Sequence, residues 1–249
     1  MVNRHRTFKG MTALLVVLGF AFGPASAAPA AAADVAAMSD PRATHFGEGT
    51  YYDATTQGNC SFAALPEDMM VAAINRIDYG TAGYCGAYIQ ATGPNGTVVV
   101  QIIDTCGECA AGDVDFSERA FAKIADLAAG RERISWQLIS PDTISGPIRY
   151  HFLDGSNQWW MGVQIRNHRN PIARVEYRDD AGAFKKVALF KVLPRTDYNY
   201  FVATAGLGPG PFTFRVTDVY GNTITDTGVA LTPGGDVAST TQFPVVGDP

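Results

Sequence analysis

Three short clusters place carboxylates beside groups that can contact sugar hydroxyls. They are Gly49-Thr50-Tyr51-Tyr52-Asp53, Asp104-Thr105-Cys106-Gly107-Glu108-Cys109 and Asp113-Val114-Asp115-Phe116-Ser117. A carboxyl that acts as a general acid needs its pKa raised, and burial raises it. The competing reading of Asp113 or Asp115 is a helix cap, because an acid just ahead of a helix commonly accepts from the free N–H groups there. The helix dipole would hold such a carboxyl as the anion. A second kind of chemistry lies in the Trp159-Trp160 pair. A flat indole suits the apolar C–H face of a β-linked glucose unit, and a row of such faces suits an extended chain. Adjacent residues in a strand point to opposite faces, so both indoles share one surface only at a strand entrance or a bulge. The Gly155-Ser156-Asn157 turn just before them provides for that.

Cys60, Cys85, Cys106 and Cys109 all precede residue 110. An even count in an oxidising compartment reads as two disulfides, and four cysteines allow three pairings. Cys106-x-x-Cys109 alone would also suit zinc or thioredoxin-like redox work. No second Cys or His pair stands at ligand spacing, and no βαβ unit surrounds it, so neither a metal nor another cofactor is expected.

These residues must be positioned by a β-rich chain. Of 249 residues, 47% are hydrophobic and 17% charged, a composition that folds, and the 26 Gly and 14 Pro mark many turns. Residues 1–27 read as a signal peptide: Arg4, Arg6 and Lys9 precede an apolar run over 11–22 too short to span a membrane, and Ala25-Ser26-Ala27 offers a cleavage site. Residues 28–42 read as a loose segment. Losing the leader removes three positive charges and no negative ones, so the net charge goes from −5 to −8. An acidic protein gains nothing from nucleic-acid phosphates and is repelled by anionic polymers, which leaves neutral glycans as the compatible partners. No membrane partner is expected, and the protein reads as a monomer.

Short strands are expected over 49–52, 70–75, 87–92, 97–104 and 133–139, with a hairpin turn at Gly93-Pro94-Asn95-Gly96. One helix starts at Ser117 as N-cap, buries Phe121, Ile124 and Leu127, and ends at Gly130. Many strands with one or two short helices suggest a compact barrel over 43–140. The polar segment 141–146, flanked and interrupted by proline, reads as a linker between domains that stay close. Residues 147–249 repeat strand-turn-strand over 148–153, 159–166, 174–177, 184–189, 198–204, 212–218 and 223–226, the pattern of a small β-sandwich. Asp179-Asp180-Ala181-Gly182 and Tyr220-Gly221-Asn222 mark hairpin turns.

The ordered set Gly49-Thr50-Tyr51-Tyr52, Gly58-Asn59-Cys60, Cys85-Gly86-Ala87, Ile103-Asp104-Thr105-Cys106 and Val114-Asp115-Phe116-Ser117 resembles the double-psi β-barrel of the expansins. Ser156-Asn157-Gln158-Trp159-Trp160, the Val163 to His168 run and Asp197-Tyr198-Asn199-Tyr200-Phe201-Val202 resemble the binding domain of bacterial expansins, and the likeness covers nearly all of residues 44–245. It implies a mostly β chain, a six-stranded double-psi barrel followed by an immunoglobulin-like sandwich. It implies a secreted, non-hydrolytic protein that binds cellulose and loosens wall polysaccharide, with xyloglucan and peptidoglycan as further partners. Asp115 would be the acid needed for loosening. Asp104, Thr50 and Tyr52 would line the groove, and Trp159, Trp160 and Tyr198 would form the cellulose platform. Cys60–Cys85 and Cys106–Cys109 would be the disulfides. Cys106 stands where the family carries a groove tyrosine, leaving Tyr52 and Tyr84 as candidates to supply that contact, and Leu153 stands where it carries a platform lysine. Asp53 sits where related endoglucanases carry a base. The alternatives are therefore a weak endo-β-1,4-glucanase using Asp115 and Asp53, or a peptidoglycan lytic transglycosylase using Asp115 as acid.

Overall fold

A computed structural model describes residues 40–179 and 189–247. The leader, nearly all of the segment after it, the turn beyond Asp179 and most of the 184–189 strand lie outside the described residues.

Six strands close into a barrel: β1 (His45–Tyr52), β2 (Val71–Asn75), β3 (Tyr88–Gly93), β4 (Gly96–Cys106), β5 (Val114–Ser117) and β6 (Glu132–Ile139). Their order around it is β1-β5-β2-β4-β3-β6, with β1 parallel to β5 and β2 parallel to β4. Side chains alternate across each strand. Ala72, Ile74, Ile102, Val114, Phe116 and Trp136 fill the inside, while Val71 and Ile103 join a smaller cluster on the outer face.

One irregularity matters for the site. Ala72 faces Ile102 but Ala73 faces Asp104, so β4 carries one extra residue at Ile103. Such a bulge re-aims the side chains that follow it. Without it, strict alternation from Ile102 in the interior would turn Asp104 inward as well.

Two short helices brace the barrel. Asn75 caps α1 (Arg76–Tyr79), its side chain accepting from the N–H groups of Ile77 and Asp78. Ser117 caps α2 (Glu118–Ile124), accepting from Ala120 N at 3.2 Å while its hydroxyl donates to Met69 O at 2.5 Å. The sequence predicts this helix through to Gly130, but it stops at Ile124. The hairpin between β3 and β4 takes its last carbonyl: Asn95 N donates to Ile124 O at 2.9 Å. Ala125 is extended, and Leu127–Ala129 forms a separate 3-10 turn closed by Gly130 at φ 67°.

Among the described residues, the second half is a sandwich of two antiparallel four-stranded sheets. Its strands are β7 (Arg149–Phe152), β8 (Met161–Arg166), β9 (Ile172–Asp179), β10 (Leu189–Leu193), β11 (Phe201–Ala203), β12 (Phe212–Asp218), β13 (Thr223–Val229) and β14 (Asp236–Ala238). The sheet orders are β10-β9-β12-β13 and β11-β8-β7-β14. Tyr150, Phe152, Phe201, Phe212 and Phe214 pack between them. The chain is thus mostly β, a barrel followed by a sandwich.

The connection between the halves is held by hydrogen bonds. Arg169 Nη2 donates to Ile144 O at 2.8 Å, and Asn167 Nδ2 donates to Ser145 O at 2.9 Å and Pro147 O at 2.8 Å. Beside it the halves touch directly. Gln164 Nε2 and Asn199 Nδ2 both donate to Cys60 O, at 2.9 and 3.2 Å.

Candidate functional site

A row of residues crosses four adjacent barrel strands in register. Thr50 on β1 faces Asp115 on β5, Asp115 faces Ala73 on β2, and Ala73 faces Asp104 on β4. Neighbouring strands lie about 4.8 Å apart, so the row spans about 14 Å. Ala73 is buried but absent from the interior cluster, so the residue between the two acids in this row carries a single methyl group.

Thr50 Oγ1 donates to Asp115 Oδ1 at 2.6 Å. Burial raises the Asp115 pKa, opposed by the Thr50 hydrogen bond and the Arg131 guanidinium and supported by the charge of Asp104. The cap reading of the acids fails, because Ser117 takes that role. Asp113 instead ties loops together: Oδ1 accepts from Glu48 N at 2.8 Å and Oδ2 from Ala110 N at 3.0 Å. Asp104 Oδ1 accepts from Asn59 N at 2.7 Å and Thr105 N at 2.8 Å, which fixes its carboxylate on the outer face.

A cavity of about 260 Å³ opens beside Asp115. Glu48, Thr50, Glu108, Asp113, Arg131 and the Cys106–Cys109 disulfide line it, and the Cys60–Cys85 disulfide lies in the core. Tyr52 stands along β1 from Thr50. Burial, then the charges of Asp104 and Asp115, raise its pKa, and its buried hydroxyl has no hydrogen-bond partner among the described residues. Tyr84 supplies no groove contact: it is 2% exposed and packs edge-on against Trp136 in the core. Asp53 lines a different cavity, together with Tyr52, Glu118 and Arg119.

The aromatic surface lies at the start of β8. Asn157 and Trp160 pair across a tight turn, and Asn157 Oδ1 accepts from Trp159 N at 2.9 Å and Trp160 N at 3.2 Å. Trp159 therefore occupies a turn and Trp160 its exit, and strand alternation does not separate their rings. Trp159 is 74% exposed and Tyr198 40%. Gly162 leaves a shallow bed: a Cβ there would meet Trp160 at 3.4 Å and Tyr200 at 3.5 Å. Tyr200 in turn lies 5.9 Å from the Tyr198 ring. Leu153 borders the same bed. Arg166 and His168, past this surface, are structural: Arg166 Nε donates to Gln164 Oε1 at 2.6 Å, and His168 is buried against the barrel.

Sequence reasoning missed Ala73, the bulge at Ile103 and the tethers on Cys60 O. A small residue within the apolar run 71–74 was the one available signal for the trough.

An acid trough on a closed barrel and open aromatic rings on an adjoining sandwich define a barrel-plus-sandwich protein of the kind seen in expansin structures. Two solved structures of the Clavibacter michiganensis expansin match with TM-scores of 0.73. One is the unliganded protein at 35% identity, the other a D78N mutant in complex with cellohexaose at 34%, and each match covers 82% of this chain and all of the other. Expansin-YoaJ of Bacillus subtilis (strain 168) is 34% identical over 210 residues, 80% of this chain and 87% of the relative. Expansin-like protein 1 of Dictyostelium discoideum is 26% identical over 210 residues, 80% of this chain and 71% of the relative. No family model matches. The chain belongs to the expansin family.

Proposed function

We propose that this chain is a secreted protein that binds cellulose and related β-glucans and loosens plant-type wall polysaccharide without cleaving it. The working domains are taken as 43–140 and 147–249. Trp159, Trp160 and Tyr198 bind the apolar faces of a glucan, while Thr50, Asp115 and Asp104 hold the hydroxyls of a strand along the barrel. Tyr52 walls that trough. Holding a strand there in a distorted or peeled state weakens its contacts with neighbouring strands.

The observation that carries this reading is the 74% exposure of Trp159, whose backbone is nonetheless fixed by Asn157. A single exposed ring means little, but exposed apolar rings grouped on one surface mark a ligand site. The cellohexaose complex of the Clavibacter protein supports the choice of ligand class.

Binding isotherms on insoluble cellulose test it. Trp159→Ala and Trp160→Ala are expected to weaken binding by about 1–3 kcal/mol per ring, by analogy with stacked bases. Binding equal to that of the unmodified protein would remove the platform from the account.

A further inference from the structure

The loop that carries Tyr198 is closed within its own sandwich by Thr196 N donating to Tyr200 O at 2.8 Å and Asn199 N to Thr196 O at 3.2 Å, and it is also tied to the barrel. Tyr79, the last residue of α1 on the barrel, donates its hydroxyl hydrogen to Asp197 O at 2.5 Å. That carbonyl belongs to the peptide unit leading into Tyr198. On the other side of Tyr198, Asn199 adopts a left-handed φ of 67° and donates through Nδ2 to the barrel's Cys60 O at 3.2 Å. Its Oδ1 accepts from Arg195 Nη2 at 2.8 Å, which fixes the amide orientation. Both residues flanking the half-exposed ring are therefore tied to the barrel, whereas the ring's own sandwich neighbour is Tyr200, 5.9 Å away.

The anchor itself is rigid. Tyr79 is 3% exposed and its oxygen lies 3.5 Å from Cys85 Sγ, so its ring is packed against the Cys60–Cys85 disulfide. The other tether ends on Cys60, the second half of that bridge. One disulfide thus supports both.

We propose that Tyr79 is a positioning residue for polysaccharide binding: from the barrel, it sets the orientation in which Tyr198 meets the glucan. The proposal rests on the platform reading above and goes beyond it by giving the barrel a hold on the loop that carries Tyr198. Burial keeps the Tyr79 hydroxyl protonated, helped by the nearby charges of Asp104 and Asp197 and opposed by Arg195, so it remains a donor through the neutral range.

A double-mutant cycle in the full chain tests this, with cellulose binding as readout and thermal unfolding to establish that each variant folds. Tyr79→Phe deletes one oxygen and is expected to raise Kd roughly three- to tenfold, the worth of one hydrogen bond. Tyr198→Ala is expected to weaken binding at least as much. Placed in the Tyr198→Ala background, Tyr79→Phe is expected to have no further effect, since it acts through that ring. A role confined to stability would instead lower the melting temperature and leave Kd unchanged, which overturns the proposal. Additive losses overturn it as well. Tyr198→Ala binding like the unmodified protein overturns this proposal together with the platform reading, whereas weakened Tyr198→Ala beside unaffected Tyr79→Phe overturns this proposal alone. If Tyr79→Phe does not fold, Asn199→Asp, which removes the donor to Cys60 O, is carried through the same cycle with the same criteria.

Discussion

Asp115 is a carboxyl held half out of water with one strong donor on it. Its ionised form is disfavoured by burial and favoured by Thr50 and Arg131, and burial prevails. Thr50→Val removes the 2.6 Å hydrogen bond and is expected to raise the Asp115 pKa further, measured by carboxyl NMR titration. The raised value also has a stability sign. A carboxyl with a folded pKa above its unfolded one stabilises the fold at low pH, and that contribution is lost as pH rises through the folded pKa. Asp115 therefore weighs against the fold at neutral pH. Asp115→Asn, which keeps an acceptor for Thr50, is expected to raise the melting temperature slightly at pH 7 while loosening is lost. A lower melting temperature would mean that the carboxylate is better paired than this. Thr50, Asp104 and Asp115 were legible in sequence through the ordered motifs around them, although no local pattern joins Thr50 to Asp115. The aim of Asp104 was not, because it depends on a bulge defined by the pairing of two strands about thirty residues apart. Nor was the exclusion of Tyr84, which depends on its packing edge-on against Trp136 of β6.

At the scale of elements, the turn from Asn157 to Trp160 turns two adjacent indoles into a surface. It is supported from behind by the loop after β11, where Gly208 N donates to Gln158 O at 3.1 Å. Gly206 comes closest of all: at φ 67°, a Cβ there would lie 2.1 Å from Gln158 O and 2.5 Å from the Trp159 carbonyl carbon. Gly206→Ala must push the turn outward and is expected to weaken cellulose binding about tenfold. Gly221→Ala is the control, since φ is 87° there but a Cβ meets nothing within 4 Å. It carries the same left-handed strain and is expected to leave binding unchanged, so equal losses in both variants would refer the effect to backbone strain. Sequence patterning found β12 to the residue and most other strands to within a few positions. It missed β5 and β14 as strands, because three or four residues carry too short an alternation. It ran α2 too long, because Leu127 continues the apolar spacing and the hydrogen bond that ends the helix comes from a distant hairpin.

The whole molecule depends on how closely barrel and sandwich fit. His168 of the sandwich is 2% exposed and accepts no carbon at Gly86: a Cβ on that glycine would lie 2.6 Å from its Nε2. Burial lowers the His168 pKa to about 4, helped by Arg195 and opposed by its hydrogen bond to Asn170 O. A histidine neutral in the fold but free to protonate when unfolded makes stability fall as pH drops from about 6.5 to about 4, by up to roughly 3 kcal/mol. Unfolding midpoints across that range should fall in the unmodified protein and fall less in His168→Gln; parallel curves would mean that the histidine is charged or exposed in the fold. The sequence indicated two halves that stay close and 141–146 as the segment between them, yet not that Cys60 O and Gly86 would be points of contact, since each pairs with residues far along the chain. If the trough and the rings act together on a glucan held in place, the most direct measurement is extension of a heat-inactivated plant wall strip under constant load, with soluble sugar assayed in the bath. The expected result is extension with no sugar released, and none with Asp115→Asn. Extension that scales with released oligosaccharide, or that persists in Asp115→Asn, would contradict non-hydrolytic loosening through this trough.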